Sequence, residues 1–504
     1  MNHSSLPFSL FLLLLVGLGG CQQAPEAAVP ETEAAESMLV PDESLVRVFV
    51  TTQPHNFRQP WQKAEARRSQ AVGAVVAGER VLVTGNLVAD ATFIEIEPPE
   101  GGSKVIMEVE EVDYEANLAV LRPQGEAGFL ADCRPLEIEG AARKGDPLSI
   151  WQIEDNGDLF PVDGTITKVS MDTYFLPGSF FLVYEVKAAF ANKTGSLTVP
   201  VLKDGKLAGI LLGYSAQNET ATVLPASMID RFLTALDEGG FPGIPTIGIT
   251  YSRTEDPQFR TYLGLREEVG GVFVSNIVKD SVADLSGLAV GDVIVQIDEH
   301  PIDKRGFYDH PEYGRLQFSH WGREVRGVGD TLILKIVRDG ELMEKEVELT
   351  RKEPEEYLID PYVFDRGPRF LMLGGALFQE LTRNYLVSFG KDWRDDAPFD
   401  LLYALSNPDE FEEGREKLVF LSYVIPTPAT VGYEGLNSLI VTKVNGQTIA
   451  SLATMKEALA QPINGIHTIE FEDSPNAIHL DAALVERINQ ALQQQGVSPL
   501  ERVE

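Results

Sequence analysis

From Ser44 to Gly239 the apolar residues fall in short β-branched runs, among them Val46 to Thr51, Gly73 to Val76, Val81 to Thr84, Phe93 to Ile96 and Leu118 to Leu121. Runs of four to six residues spaced by turn residues predict strands, and a series of them predicts an all-β barrel or sandwich. Further strands are expected over Pro147 to Trp151, Gly164 to Val169, Phe181 to Val186 and Leu207 to Gly213, with a closing helix over Pro225 to Leu236. A Gly-Gly-Phe-Pro-Gly linker at 239–243 then opens a second β-rich module, from about Ile244 to Arg351. The remainder, from about Tyr357, predicts strands over Leu418 to Val424 and Leu439 to Val444, a turn at Asn445-Gly446, a helix over Ser451 to Ala460 and a last strand over Ile466 to Glu472.

Composition changes the picture at two points. A chain of 504 residues is too long for one core. Its 42 basic and 76 acidic side chains leave a net charge of -34, which repels phosphate backbones and excludes nucleic acid as a partner. Leu6 to Leu18 is an apolar run too short to span a bilayer and reads as an export signal over 1–20. Leu18-Gly19-Gly20-Cys21 follows and resembles the lipobox of bacterial lipoproteins. The resemblance implies cleavage before Cys21 and lipid on its thiol. An extracytoplasmic protein anchored to a bacterial membrane is expected, on the outer membrane or the periplasmic face if the cell has two membranes. An ordinary signal peptide is the alternative, since Met1 to Ser5 carries no Lys or Arg. Residues 21–43 are rich in Ala, Pro and Glu and read as a flexible acidic tether. Cys133, the other cysteine, reads as a small core side chain without a role.

The second module holds Gly271-Val272-Phe273-Val274, Ser281-Val282-Ala283, Ser286-Gly287-Leu288 and Gly291-Asp292-Val293-Ile294, and with these it resembles a PDZ domain. Phe389-Gly390-Lys391-Asp392-Trp393 and Lys443-Val444-Asn445-Gly446 resemble the divergent terminal PDZ-like domain of the Do-like (Deg/HtrA) serine proteases, the plant-type branch in particular. Taken together, the resemblance implies a mainly β chain. A chymotrypsin-like double β-barrel over 44–239 is followed by a PDZ domain over 244–352 and a second PDZ-like α+β domain over 357–504.

That family places a histidine base in a T-N-A-H-V-V-type motif, and the matching run Val81 to Ala91 puts Asn86 there. The orienting aspartate belongs to a D-L-A-V-L motif, which here is Asn117-Leu118-Ala119-Val120-Leu121. The G-N-S-G-G-P-L nucleophile motif corresponds to Asn192 to Pro200, where Gly195 or Ser196 takes the serine position according to the direction of counting. An amide has no titratable acceptor near neutral pH, so a serine hydroxyl would find no base. No histidine lies between His55 and His300. His55 reads as a surface residue, and His300, His310 and His320 as PDZ surface residues. Lys187 or Lys193 beside Ser196 is the remaining rescue, as a Ser-Lys pair.

The resemblance also implies a peptide groove. Thr246-Ile247-Gly248-Ile249 matches the x-Φ-G-Φ loop whose N–H groups hold a peptide's terminal carboxylate, with Leu316 on the opposite wall if Glu312 to Phe318 is helical. No cofactor or metal is expected. The expected partners are a polypeptide or C-terminal peptide, a membrane through the lipid, and other copies or relatives in a trimer-based oligomer. A tethered pseudoprotease that binds exported polypeptides is the leading reading. An active serine endopeptidase with an unusual base and a structural subunit of a Deg-type oligomer are its rivals.

Overall fold

The computed structural model describes residues 43–504 except 155, 174, 177, 178 and 190–197. Within them the protein is mainly β. Strands Leu45–Thr52, Arg67–Val76, Arg80–Thr84, Ala91–Glu97, Val105–Asp113 and Leu118–Pro123 close a first barrel in the spatial order 1-2-3-6-5-4. Its interior is filled at alternate positions, Val46, Val48 and Val50 on one strand and Val81 and Val83 on another, as a period of two requires. Gly73 lies where these valines crowd: a Cβ there would come within 2.4 Å of Val81 and 2.8 Å of Val48.

Strands Pro147–Ile153, Leu159–Thr173, Phe180–Lys187, Pro200–Lys203, Lys206–Ser215 and Thr220–Pro225 close a second barrel with the same cyclic order. The helix Ala226–Asp237 lays Met228, Ile229 and Phe232 into the seam between barrels, against Leu82 and Leu118 of the first and Phe181 and Ile210 of the second. The strand Val105–Asp113 escapes the sequence reading because Glu108, Glu110 and Glu111 interrupt its apolar run and its exposed positions, Ile106 and Val109, are apolar. Its inward Val105 and Met107 are buried all the same.

The next sheet runs Ile249–Arg253, Val272–Ile277, Val293–Ile297, Thr331–Arg338, Glu341–Glu348. Its Gly-Asp-Val-Ile motif has a physical cause. Asp292 is fully buried, accepts from the Ala289 N–H at 2.8 Å, and takes two bonds from Arg338 at 2.6 and 2.7 Å.

One expectation fails in this module. Glu312 to Phe318 is not helical: Gly314–Gln317 is a strand paired with Phe307–His310, and the hairpin leans on the second barrel. Leu316 is 1% exposed and joins the core around Val186 and Val223, so it is not a groove wall. The helical turn lies later, at 319–325.

In the last domain the sheet order is Ala477–Asp481, Ile466–Phe471, Leu439–Val444, Val419–Val424, Ala376–Glu380, Phe370–Leu373, Glu501–Arg502. Ile466–Phe471 is therefore not the last strand. A further strand, the helix Ala482–Gln494 and the edge strand Glu501–Arg502 follow it. Asn445 and Gly446 both have positive φ, 51° and 80°, the conformation that an Asn-Gly hairpin turn needs. No helix among the described residues is long and apolar enough to cross a membrane.

Candidate site between the barrels and the peptide groove

Asn86 stands on the one-turn helix Gly85–Val88 that follows the strand Arg80–Thr84. Asn117 is buried beneath it in the left-handed region, φ 56°, which asparagine tolerates better than most side chains. The Asn86 N–H donates to Asn117 Oδ1 at 2.7 Å, and the Gly85 N–H donates to the Asn117 carbonyl at 3.0 Å. The two amide positions are thus adjacent in space. Because Oδ1 accepts from backbone, the other arm of the Asn117 amide is an NH2 donor. An aspartate there would offer a second acceptor to hold an imidazole N–H; this amide cannot.

Gly195, Ser196 and Lys193 lie outside the described residues. Described chain resumes at Thr198, whose hydroxyl bonds the Thr84 hydroxyl two residues before Asn86. Lys187 donates to the Asn218 carbonyl at 2.8 Å and pairs with Glu219 at 3.2 Å. His55 is half-buried rather than a free surface residue, next to Lys63, Gly367 and Arg502. Burial and the two cations push its pKa down. Cys133 is half-buried at the edge of the first barrel's core, and burial raises its thiol pKa.

No local pattern announces what surrounds Asn117. Asp113 accepts from the Ala116 N–H at 2.6 Å and pairs with Arg351 at 3.1 Å. Tyr114 donates to Asp365. Glu115 accepts from the Ser179 hydroxyl at 3.1 Å and pairs with Arg323 of the PDZ helical turn. Five consecutive residues, Asp113 to Asn117, therefore touch the second barrel, the PDZ module, the segment after it and the base position.

Thr246, Ile247, Gly248 and Ile249 line a cavity of about 260 Å³ with Tyr251, Phe318 and Arg323. Leu316 is absent from its lining; Phe318, Gly322 and Arg323 supply the wall expected of it, and Phe180 of the second barrel contributes an edge. Gly248 has φ +79°, and a Cβ there would meet Ser281 Cβ at 2.3 Å, so both backbone and space demand glycine. The Ile247 and Gly248 carbonyls accept from the Ala283 and Val278 N–H groups, both at 2.9 Å, which fixes the loop from behind. Two polar atoms of the lining, Ser319 Oγ and Arg323 Nε, are buried without a hydrogen-bond partner among the described residues.

Comparison with known proteins fits this layout. The PDZ domain family matches residues 246–306 and again 359–498. "Protease Do-like 4, mitochondrial" of Arabidopsis thaliana is 26% identical over 437 residues, 86% of this chain and 79% of the relative. "Protease Do-like 2, chloroplastic" of the same plant is 24% identical over 442 residues, 86% of this chain and 70% of the relative. The chain is a homologue of the Do-like (Deg/HtrA) proteases with two PDZ domains. Among solved structures, "HtrA-type protease AlgWS227A with decapeptide" is similar over 62% of this chain and 95% of that one, at 17% identity and a TM-score of 0.48.

In this Do-like chain the PDZ histidines are not surface residues. His320 is 3% exposed, bonds the Tyr308 hydroxyl at 2.6 Å through Nδ1, and is pushed down to about 3 by burial and by His310. His310 stacks on Tyr313 at 4.6 Å and His300 packs on Trp321 at 4.8 Å, so all three rings gather where the hairpin meets the second barrel. Glu324, on the same helical turn, accepts from the Leu182 N–H at 3.1 Å, and burial pushes it up to about 7. Arg323 beside it lies over Phe181 at 5.0 Å. Among the described residues no group of three or more His, Cys, Asp or Glu side chains could hold a metal ion.

Proposed function

We propose that this protein is a membrane-tethered, catalytically degenerate relative of the Do-like proteases that binds exported polypeptides, by their C-terminal segments, through its first PDZ domain. The observation that carries the reading is the bond between Asn86 and Asn117, 2.7 Å long, at the two positions where the family keeps its base and orienting acid. Neither amide takes up a proton near neutral pH, and loss of the base alone costs on the order of a million-fold in a related chemistry. Barrels without that step leave binding as the work of the chain.

The cavity at Thr246 to Ile249 supports the binding half of the reading. The N–H groups of its glycine turn suit a terminal carboxylate, and the isoleucines suit an apolar last side chain. Arg323, in the same wall and paired with Glu115, ties any ligand there to the segment that bears Asn117. The tether rests on Leu18-Gly19-Gly20-Cys21, which lies outside the described residues.

Fluorescence anisotropy of peptides ending in an apolar residue tests the groove. The free carboxylate should bind the full chain, and its C-terminal amide should bind at least tenfold more weakly. Equal binding of the two would remove carboxylate capture. Gly248→Val should abolish binding of the free acid through its forbidden φ and its clash with Ser281.

A further inference from the structure

Residues 360–366, at the start of the second PDZ domain, alternate in what they touch. Asp360 and Val363 face the last domain. The Asp360 carboxylate pairs with buried Lys417, its carbonyl accepts from the Arg383 N–H at 3.0 Å, and Val363 exchanges two bonds with the Asn384 side chain at 2.9 and 3.0 Å. Tyr362, Phe364 and Asp365 face the barrels. Phe364 packs on Tyr114 at 4.3 Å and on Phe175 of the second barrel at 5.4 Å, while Tyr362 meets the edge of Tyr114 at 6.4 Å. Asp365 exchanges backbone-to-carboxylate bonds with Asp90, 2.8 and 3.0 Å long, and accepts from the Tyr114 hydroxyl.

The contacted residues are not arbitrary. Asp90 is four residues past Asn86, Tyr114 is three before Asn117, and Phe175 belongs to the facing barrel. The segment thus bridges both barrels directly at the amide pair. It is held from behind by one domain and presented to two others, as a bound strand of another chain would be.

We propose that the surface made by Tyr114, Phe175 and Asp90 is a polypeptide-binding site for an extended segment carrying an aromatic residue followed by an acid, and that residues 362–365 occupy it in cis. A polypeptide reaches the site when the last domain, with its strap, moves off. The two carboxylates at the contact, Asp90 and Asp365, repel, which keeps the strap displaceable. This site is separate from the PDZ groove and does not depend on whether the barrels cleave.

Hydrogen exchange on the full chain tests it, read at residues 84–90 and 113–117. Phe364→Ala should raise exchange there roughly tenfold, the loss of two aromatic contacts, and Asp90→Asn, which keeps the oxygen acceptor and removes the repulsion, should lower it. A fluorescein-labelled peptide with the sequence of residues 358–368 should bind the Phe364→Ala protein saturably and the wild type not at all. Should Phe364→Ala not fold, Asp365→Ala, at an exposed position, carries the same reading. Unchanged exchange in a folded variant, or equal peptide binding by variant and wild type, overturns the proposal. A scrambled peptide that binds as well as the native sequence also overturns it.

Discussion

At the scale of single residues, the chemistry turns on the Asn117 oxygen and on two titratable groups, His320 and Glu324. The Asn117 oxygen is committed to the Asn86 N–H, so the pair is a clamp between a side-chain amide and the backbone of the short helix. His320 and Glu324, four residues apart on one helical turn, titrate in opposite senses. His320 is depressed to about 3, so the stability it gives is present above pH 6.5 and is lost as pH falls toward 3. Glu324 is raised from 4.5 to about 7, so its contribution is full below pH 4.5 and lost as pH rises through 7. Between pH 4.5 and 6.5 the two nearly offset each other, roughly 3 kcal/mol each by the usual conversion of pKa shifts. Thermal melts over that range should therefore be flat for the wild type. Glu324→Gln should lose stability on acidification and His320→Gln should gain it; slopes of the same sign would refute the assignment.

Elements show where a sequence speaks and where it is silent. Most strands of both barrels were legible because each carries an inward β-branched face, whereas Val105–Asp113, Pro200–Lys203 and Thr220–Pro225 were not. Two short motifs singled out Asn86 and Asn117, which the fold places side by side. The groove wall expected at Glu312 to Phe318 required that segment to be helical, whereas Leu316 and Phe318 alternate with exposed Arg315 and half-buried Gln317 in the period of a strand. The strap at 360–366 was invisible for another reason: its bonds to Tyr114 and Asp90 span 251 and 275 residues, and no local pattern announces such a partner. His320 escapes a local reading for a similar reason, since the rings packed around it, Tyr308, His310 and Tyr313, gather only when the hairpin folds. If Leu316 is a core residue of the contact between hairpin and barrel, Leu316→Ala should cost about 2–5 kcal/mol in chemical denaturation while leaving the groove's peptide affinity within twofold. A drop in affinity without a drop in stability would return Leu316 to the groove.

For the whole molecule, the arrangement is one of clamps. The barrels share a core seam, the PDZ hairpin plugs into the second barrel, and the last domain holds the first barrel both by the strap and by Arg58 over Phe389 at 4.4 Å. The full sequence carries a net charge of -34, which repels anionic headgroups, so the proposed membrane tether rests on Cys21 alone. Cys21→Ser should accordingly move the expressed protein from the membrane fraction to the soluble one, and an unchanged distribution would show that Cys21 is not the anchor. If the chain binds polypeptides without cleaving them, purified protein treated with a fluorophosphonate probe should show no labelled serine, and casein incubated with it should stay intact. Stoichiometric labelling of Ser196, with casein cleavage that disappears in Ser196→Ala, would contradict that reading of the chain.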